Sequence, residues 1–277
     1  MSAPSLRRTG SLSLAITAAL LSLLPILWTV SSSFRPATDI FRYLSPLSVR
    51  SFVPSQVTLD NYRALLSGPF LQATVNSLLV AVVTVIIGLA ICASAAFALS
   101  VIDFPGRSWI FGLVVVSFLV PFDAIAIPLA STFRDVGLAD SYLALILPGL
   151  GNGLAVFLLR QFFLGLPKEL VEAAELDGMG WWRILWHIYV PLSRPALVSA
   201  GLILFIFQWQ AFLWPLLITT SPEKDLAATS LAKLSGQTGV DYGQLFAGTA
   251  VITIVPILLL LIFQRQFTQS LANTGGK

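Results

Sequence analysis

The sequence predicts an all-α polytopic membrane protein with six transmembrane helices. Three observations carry that expectation. Of the 277 residues, 56% are hydrophobic and only 10% charged, against about 45–50% and about 25% in an average soluble domain. Six stretches reach the roughly 20 mostly apolar residues that a helix needs to cross a bilayer core: 12–33, 73–100, 109–131, 141–162, 196–219 and 245–266. These runs are continuous rather than alternating, which favours helices over barrel strands. Mean hydropathy is +0.87. No repeat, low-complexity tract or soluble domain interrupts the pattern, so residues 1–277 read as a single transmembrane domain.

Taken in order, the first run follows Arg7 and Arg8 and imitates a secretory signal. It exceeds the roughly 7–15 residues of a signal's apolar region and lacks a clear A-x-A site, so it reads as an uncleaved first helix. The loop at 34–72 carries Pro36, Pro46, Pro54 and Pro69 and no sustained helical pattern. Its tail, LDNYRALL at 59–66, reads as a short interfacial helix. The second run opens with Asn76 and Ser77, and the link DFPGR at 103–107 leads to the third. There Asp123 lies between Pro121 and Pro128, a pair that permits a kink. The fourth run holds Asn152 between Gly151 and Gly153, which let another backbone approach closely. In the fifth, Gln208 and Gln210 flank Trp209.

A polar group in hydrocarbon is costly, so each of Asn76, Asp123, Asn152, Gln208 and Gln210 should face a partner, a cavity or an interface. Two readings stay open for them: bonds that hold the bundle together, or the lining of a polar path. Six spans put both termini on one side, and the distribution of Lys and Arg leans only slightly toward the cytoplasm for that side.

Between the fourth and fifth runs, residues 165–195 are charged. Pro167 suits a first helical position, Glu169 and Glu172 complement the helix dipole, and Gly178 is placed to end the helix at positive φ. Met179 and Gly180 make a corner, and a second helix from Trp181 should stop at Pro191. The loop therefore reads as helix, tight turn, helix. Its corner carries Ala173, Ala174, Gly178 and Gly180, small enough for close packing of another protein's surface. A simple interfacial hairpin fits the same residues.

The net charge of +3 is small and scattered, which gives no nucleic-acid surface. Cys92 stands alone, so no internal disulfide forms. No P-loop pattern is present, nor a His/Cys metal cluster, nor a nucleophile–base–acid set, and His187 is isolated. The chain itself is expected to be no catalyst and to hold no metal or cofactor of its own.

The spacing of Glu172-Ala173-Ala174, then Gly178, then Ile188 and Pro191 resembles the signature of membrane subunits of bacterial ABC importers. Val190 stands where that signature has leucine. FLLRQFFLGLPKELVEAAELDG at 157–178, LPILWTVSSSFRP, LDNY, the Asn-Ser opening of the second run and PLSRPAL at 191–197 are similar to carbohydrate-uptake permeases of the maltose-permease type. The resemblance covers nearly the whole chain and is closest to the second, six-span subunit. Two features depart from it: Trp209-Gln210 replaces Trp-Asn, and the tail RQFTQSLANTGGK differs from a Gly-Ala-Val-Lys-type ending.

The resemblance implies a type I ABC importer permease fold with a cytoplasmic coupling helix. Glu172, Ala173, Ala174, Asp177, Gly178, Met179, Ile188 and Pro191 would form the contact with a cytoplasmic ABC ATPase dimer that uses ATP and Mg. A second permease subunit would complete a heterodimer. An extracytoplasmic substrate-binding protein would meet the outer loop at 220–244 and deliver a sugar or sugar derivative. The implied location is the bacterial cell membrane, with both termini cytoplasmic. The competing class is an ion-coupled secondary transporter with Asp123 as coupling carboxylate, which would call for inverted repeats with broken helices.

Overall fold

Where apolar side chains line an unbroken backbone, the chain satisfies its own N–H and C=O groups as helix. A computed structural model describes residues 3–42, 44, 48–236 and 239–275, with side chains described between Gly10 and Gln266 of those. Pro46 and the side chains of Arg7, Arg8 and the terminal Lys277 lie outside the described residues. Among the described residues there is helix, turn and loop and no strand.

The helices, in chain order, begin with α1 (Ala3–Ser33), α2 (Asp60–Ser67), α3 (Pro69–Ser100), α4 (Arg107–Leu119) and α5 (Phe122–Asp135). Then come α6 (Tyr142–Ile146, prolonged by a 3-10 turn to Gly149), α7 (Gly153–Leu164), α8 (Glu169–Leu176) and α9 (Trp181–Ile184). A π turn, Leu185–Tyr189, joins α9 to α10 (Val190–Leu192). The last are α11 (Arg194–Trp209), α12 (Leu213–Ile218), α13 (Ala227–Ser235) and α14 (Tyr242–Gly275). The short interfacial helix expected at 59–66 is α2.

Among the described residues, three helices are long and apolar enough to cross a membrane unaided: Gly10–Ser33, Pro69–Ser100 and Tyr242–Gln266. The runs expected at 109–131 and 141–162 are bent pairs, and a third bent pair joins Trp181–Leu192 to Arg194–Trp209, so the count is three, or up to six if each pair is one span. The third run breaks by 97° between α4 and α5. Pro121 causes it, because the residue before a proline is driven extended; Val120 has φ −77° and ψ 119°. The fourth run bends by 42° between Gly149 and Gly153.

Two boundaries differ from expectation. The run expected at 196–219 is α11 followed by a separate α12, with the break at Gln210–Phe212. The second helix of the 165–195 loop does not stop at Pro191 but runs to Leu192, then turns by 89° into α11. The π turn explains this. Val190 N–H reaches back to Leu185 O, so the ladder is already widened where the proline ring would clash and where its missing donor would be felt.

The chain groups into two compact units, 1–71 with 230–254 and 72–229 with 255–277. In the first, Asn61 on α2 donates to the carbonyls of Ser33 and Arg35 at 2.8 and 2.7 Å, fastening α2 to the end of α1. Trp28, Phe41, Tyr242 and Phe246 make edge-on and tilted ring contacts there. The second unit has its main core where α3, α7, α11 and the hairpin α8–α10 meet, around Phe97, Leu159, Phe163, Ile184, Leu185, Tyr189 and Leu204. A second cluster joins Val80, Ala126, Leu145, Trp214, Ile218 and Leu226.

Candidate functional site

The hairpin between α7 and α11 is built by three local devices. Glu169 and Glu172 occupy the first turn of α8, where carboxylates complement its dipole. Gly178 takes φ +73° and closes α8 with a paired motif: Met179 N–H bonds Ala174 O at 2.9 Å and Gly178 N–H bonds Glu175 O at 3.0 Å. A Cβ at Gly178 would meet nothing within 4 Å, so the requirement for glycine is the left-handed backbone, not space. Gly180 then starts α9.

The hairpin is sunk into the bundle by its inner face. Ala174, 4% exposed, lies in the core with Ile184, Leu185 and Tyr189, and Met179 and Ile188 pack against it. The Tyr189 ring stands edge-on to Phe97 of α3 at 5.0 Å and to Phe163 of α7 at 5.3 Å. The outer face carries Glu172, Ala173, Glu175, Asp177 and Gly178, all exposed. Leu176 is 89% exposed and Trp182 67%. Pro191 is exposed as well. The two alanines of the motif thus part company: Ala173 is available to a partner, whereas Ala174 is spent inside this chain. Leu176 points its apolar side chain outward beside Ala173.

The polar residues of the apolar runs do not converge. Asn76 on α3 donates to Glu223 O at 2.7 Å and Asp225 O at 3.0 Å, and accepts from the Tyr142 hydroxyl at 3.0 Å. Gln208 on α11 is buried and donates to Leu145 O at 3.3 Å. Asn152 caps α7, its Oδ1 accepting from Ala155 N–H at 2.9 Å. Asp123 sits exposed in the first turn of α5, and Gln210 exposed at the end of α11. Among the described residues no group of three or more His, Cys, Asp or Glu side chains is placed to hold a metal ion.

One polar centre escaped the sequence reading. Asp140, between α5 and α6, is the only described non-glycine residue at positive φ, +53°. Its carboxylate accepts from the backbone N–H groups of Thr220 and Ser221, both at 3.0 Å, from the Ser221 hydroxyl, and from Lys224 Nζ at 3.1 Å. Those bonds, led by the Ser221 hydroxyl, hold the carboxyl well below the usual carboxylate range. An Asp after the Gly137 turn was the available signal, since Asp tolerates this backbone region better than most residues.

Residues 87–273 match the family described as the inner membrane component of binding-protein-dependent transport systems. The chain belongs to this family. It is thereby a multi-pass protein of the bacterial inner membrane and a transport component. Among its relatives, the arabinooligosaccharides transport system permease protein AraQ of Halalkalibacterium halodurans is 37% identical, over 94% of this chain and 92% of that one. The trehalose transport system permease protein SugB of Mycobacterium tuberculosis is 33% identical over 92% and 93%. The sn-glycerol-3-phosphate transport system permease protein UgpE of Yersinia pestis is 32% identical over 75% of each. The fold is similar to a chain of a bacterial ABC transporter involved in the import of the acidic polysaccharide alginate, with a TM-score of 0.83, 22% identity, and coverage of 96% of this chain and 99% of that one.

Proposed function

We propose that this chain is one of two permease subunits of an ABC importer that moves a sugar or sugar derivative inward, and that its α8–α10 hairpin is the joint with a cytoplasmic ATPase pair. The observation that carries the reading is the two-sided hairpin. Its inner face is locked into the core by Ala174, Ile184 and Tyr189, while Glu172, Ala173, Leu176 and Asp177 stand free on the other face. A lever needs both: a face that a partner can grip and a face that passes the motion to α3, α7 and α11.

The partner ATPases would bind ATP and Mg, and their closure would move the hairpin. Six spans, each bent pair counted once, would put both termini in the cytoplasm and the segment after α12 outside, where a binding protein delivers cargo. The relatives named for arabinooligosaccharides and trehalose support a sugar, and the one named for glycerol phosphate keeps a phosphorylated polyol within the class. Asn76 and Gln208 use amide hydrogens within the fold, so Asp123 and Gln210, both exposed, are the better candidates for a cargo path.

Affinity capture of the tagged chain from detergent-solubilised membranes tests the assembly. We expect a second permease, an ATPase and a binding protein to co-purify. Glu172→Lys should remove the ATPase from that set and uncouple hydrolysis from uptake while leaving membrane insertion intact. Uptake that persists after deletion of the co-purifying ATPase would sink the reading in favour of an ion-driven carrier.

A further inference from the structure

The segment 219–225 links α12 to α13 between two buried apolar side chains, Ile218 and Leu226, that belong to the second cluster. Between and beside them it is fixed by polar bonds from three elements distant in sequence. Asp140 grips Thr220 and Ser221 through their N–H groups, and Ser221 again through its hydroxyl. Lys224 Nζ closes the turn on Asp140, reaching the carbonyl at 2.5 Å as well as the carboxylate. The Asp140 N–H donates to Ile218 O at 2.8 Å, so backbone and side chain hold the same segment. From α5, Arg134 donates to Leu217 O at 2.6 Å. From α3, Asn76 takes the carbonyls of Glu223 and Asp225, and the Ser77 hydroxyl accepts from Ala227 N–H at 2.8 Å.

Asp140 is the centre of this arrangement and sits in a backbone conformation that L side chains seldom adopt. A residue kept in the left-handed region costs stability unless its side chain returns something. Here the return is four polar contacts that pin a segment 80 residues away. Bonds to an ionised acceptor are roughly twice as strong as neutral ones, and the carboxylate side chain is only a quarter exposed.

We propose that Asp140 is a positioning residue that clamps segment 217–225 to the turn between α5 and α6, and so sets the start of the outer loop at 220–244 on which a binding protein would seat. The clamp is independent of any function; the seating role rests on the importer reading above. With the clamp closed, a partner meets a preorganised loop start and need not order it on arrival, which lowers the cost of association.

Two substitutions separate the parts. Asp140→Gly keeps the left-handed backbone and removes the carboxylate. Asp140→Asn keeps one acceptor oxygen in a residue type that also tolerates this conformation. Hydrogen exchange on the full chain in detergent reads the clamp directly. Asp140→Gly should speed exchange of the Thr220 and Ser221 amides about tenfold, the loss expected for a charged hydrogen bond, and Asp140→Asn should recover most of the protection. Unchanged exchange in Asp140→Gly would overturn the clamp.

Seating is read in the reconstituted complex with the binding protein that co-purifies with it. The concentration of loaded binding protein giving half-maximal stimulation of ATP hydrolysis should rise several-fold in Asp140→Gly, with the saturated rate changed by less than about twofold. Faster exchange with an unmoved half-maximal concentration would overturn the positioning role. If the unmodified complex shows no stimulation at all, the importer reading fails and the seating role with it, while the exchange result still decides the clamp.

Discussion

Two glycines two positions apart make different demands. Gly178 has φ +73°, whereas Gly180 has φ −77° and ψ 160°, and a Cβ at either would meet nothing within 4 Å. Alanine at 178 therefore meets a backbone penalty of roughly 1–2 kcal/mol, and alanine at 180 does not. We expect Gly178→Ala to lower the melting temperature of the purified chain and Gly180→Ala to leave it within error, followed by intrinsic tryptophan fluorescence. Equal effects would mean that space rather than backbone governs the corner. The glycine at 178 was legible in the sequence because a helix end is a local event. The fate of Ala174 was not. Nothing in an Ala-Ala pair says which methyl faces the core until α3 and α7 are in place around it. Asp140 was harder still, since its partners lie 80 and more residues away. Its carboxyl is lowered, so its share of stability is full above the ordinary aspartate pKa, about 3.9, and survives as pH falls through that value, vanishing only as pH passes the lower folded-state pKa. Limited digestion with pepsin near pH 3.5 should accordingly spare the 217–225 segment and cut it readily in Asp140→Gly. Equal cutting of the two chains would show that the carboxyl is already protonated there.

At the scale of elements, the apolar runs were readable because a bilayer demands length and continuity. Their breaks were readable only where proline stood at the break, as at Pro121. The bend in the fourth run depends on close approach. A Cβ on Gly149 would lie 2.7 Å from Gln208 Oε1 and 2.8 Å from Thr84 Cγ2, and one on Gly153 would lie 2.8 Å from the Ser117 hydroxyl and Val114 O. Gly151 between them has open space. The flanking glycines let α3, α4 and α11 press on the bent helix; the middle one does not. Gly149→Ala and Gly153→Ala should each cost about 1–3 kcal/mol by overpacking, against little for Gly151→Ala, measured as loss of monodisperse protein on heating in detergent. If Gly151→Ala proved the most damaging of the three, freedom at the break would matter more than packing beside it. The second helix of the hairpin makes the same point about proline. Pro191 read as a stop, but a π turn before it removes the reason to stop, and such a turn leaves no signature in composition.

For the molecule as a whole, the orientation proposed above makes a demand on two positions far apart in the chain. Between Leu176 on α8 and Glu223 after α12, the chain has the bent pair Trp181–Leu192 and Arg194–Trp209 and then the short α12. If that pair counts as one span, Leu176 and Glu223 lie on opposite sides of the membrane. Both side chains are exposed, and the only native cysteine, Cys92, is fully buried, so an introduced cysteine would label against a silent background. In cells with a permeabilised outer envelope, a membrane-impermeant maleimide should label Glu223→Cys at once and Leu176→Cys only after the inner membrane is opened. Labelling of both from outside would mean that the pair does not cross. Under the importer reading, motion would pass from the hairpin to the segment after α12, and α11 is the element that joins them. It begins at the 89° turn after the hairpin and ends beside the Gln208 bond to α6. Adding saturating ATP with the co-purifying ATPase should then change the rate at which Glu223→Cys is labelled, and Glu172→Lys should abolish that change while leaving the resting rate as it was.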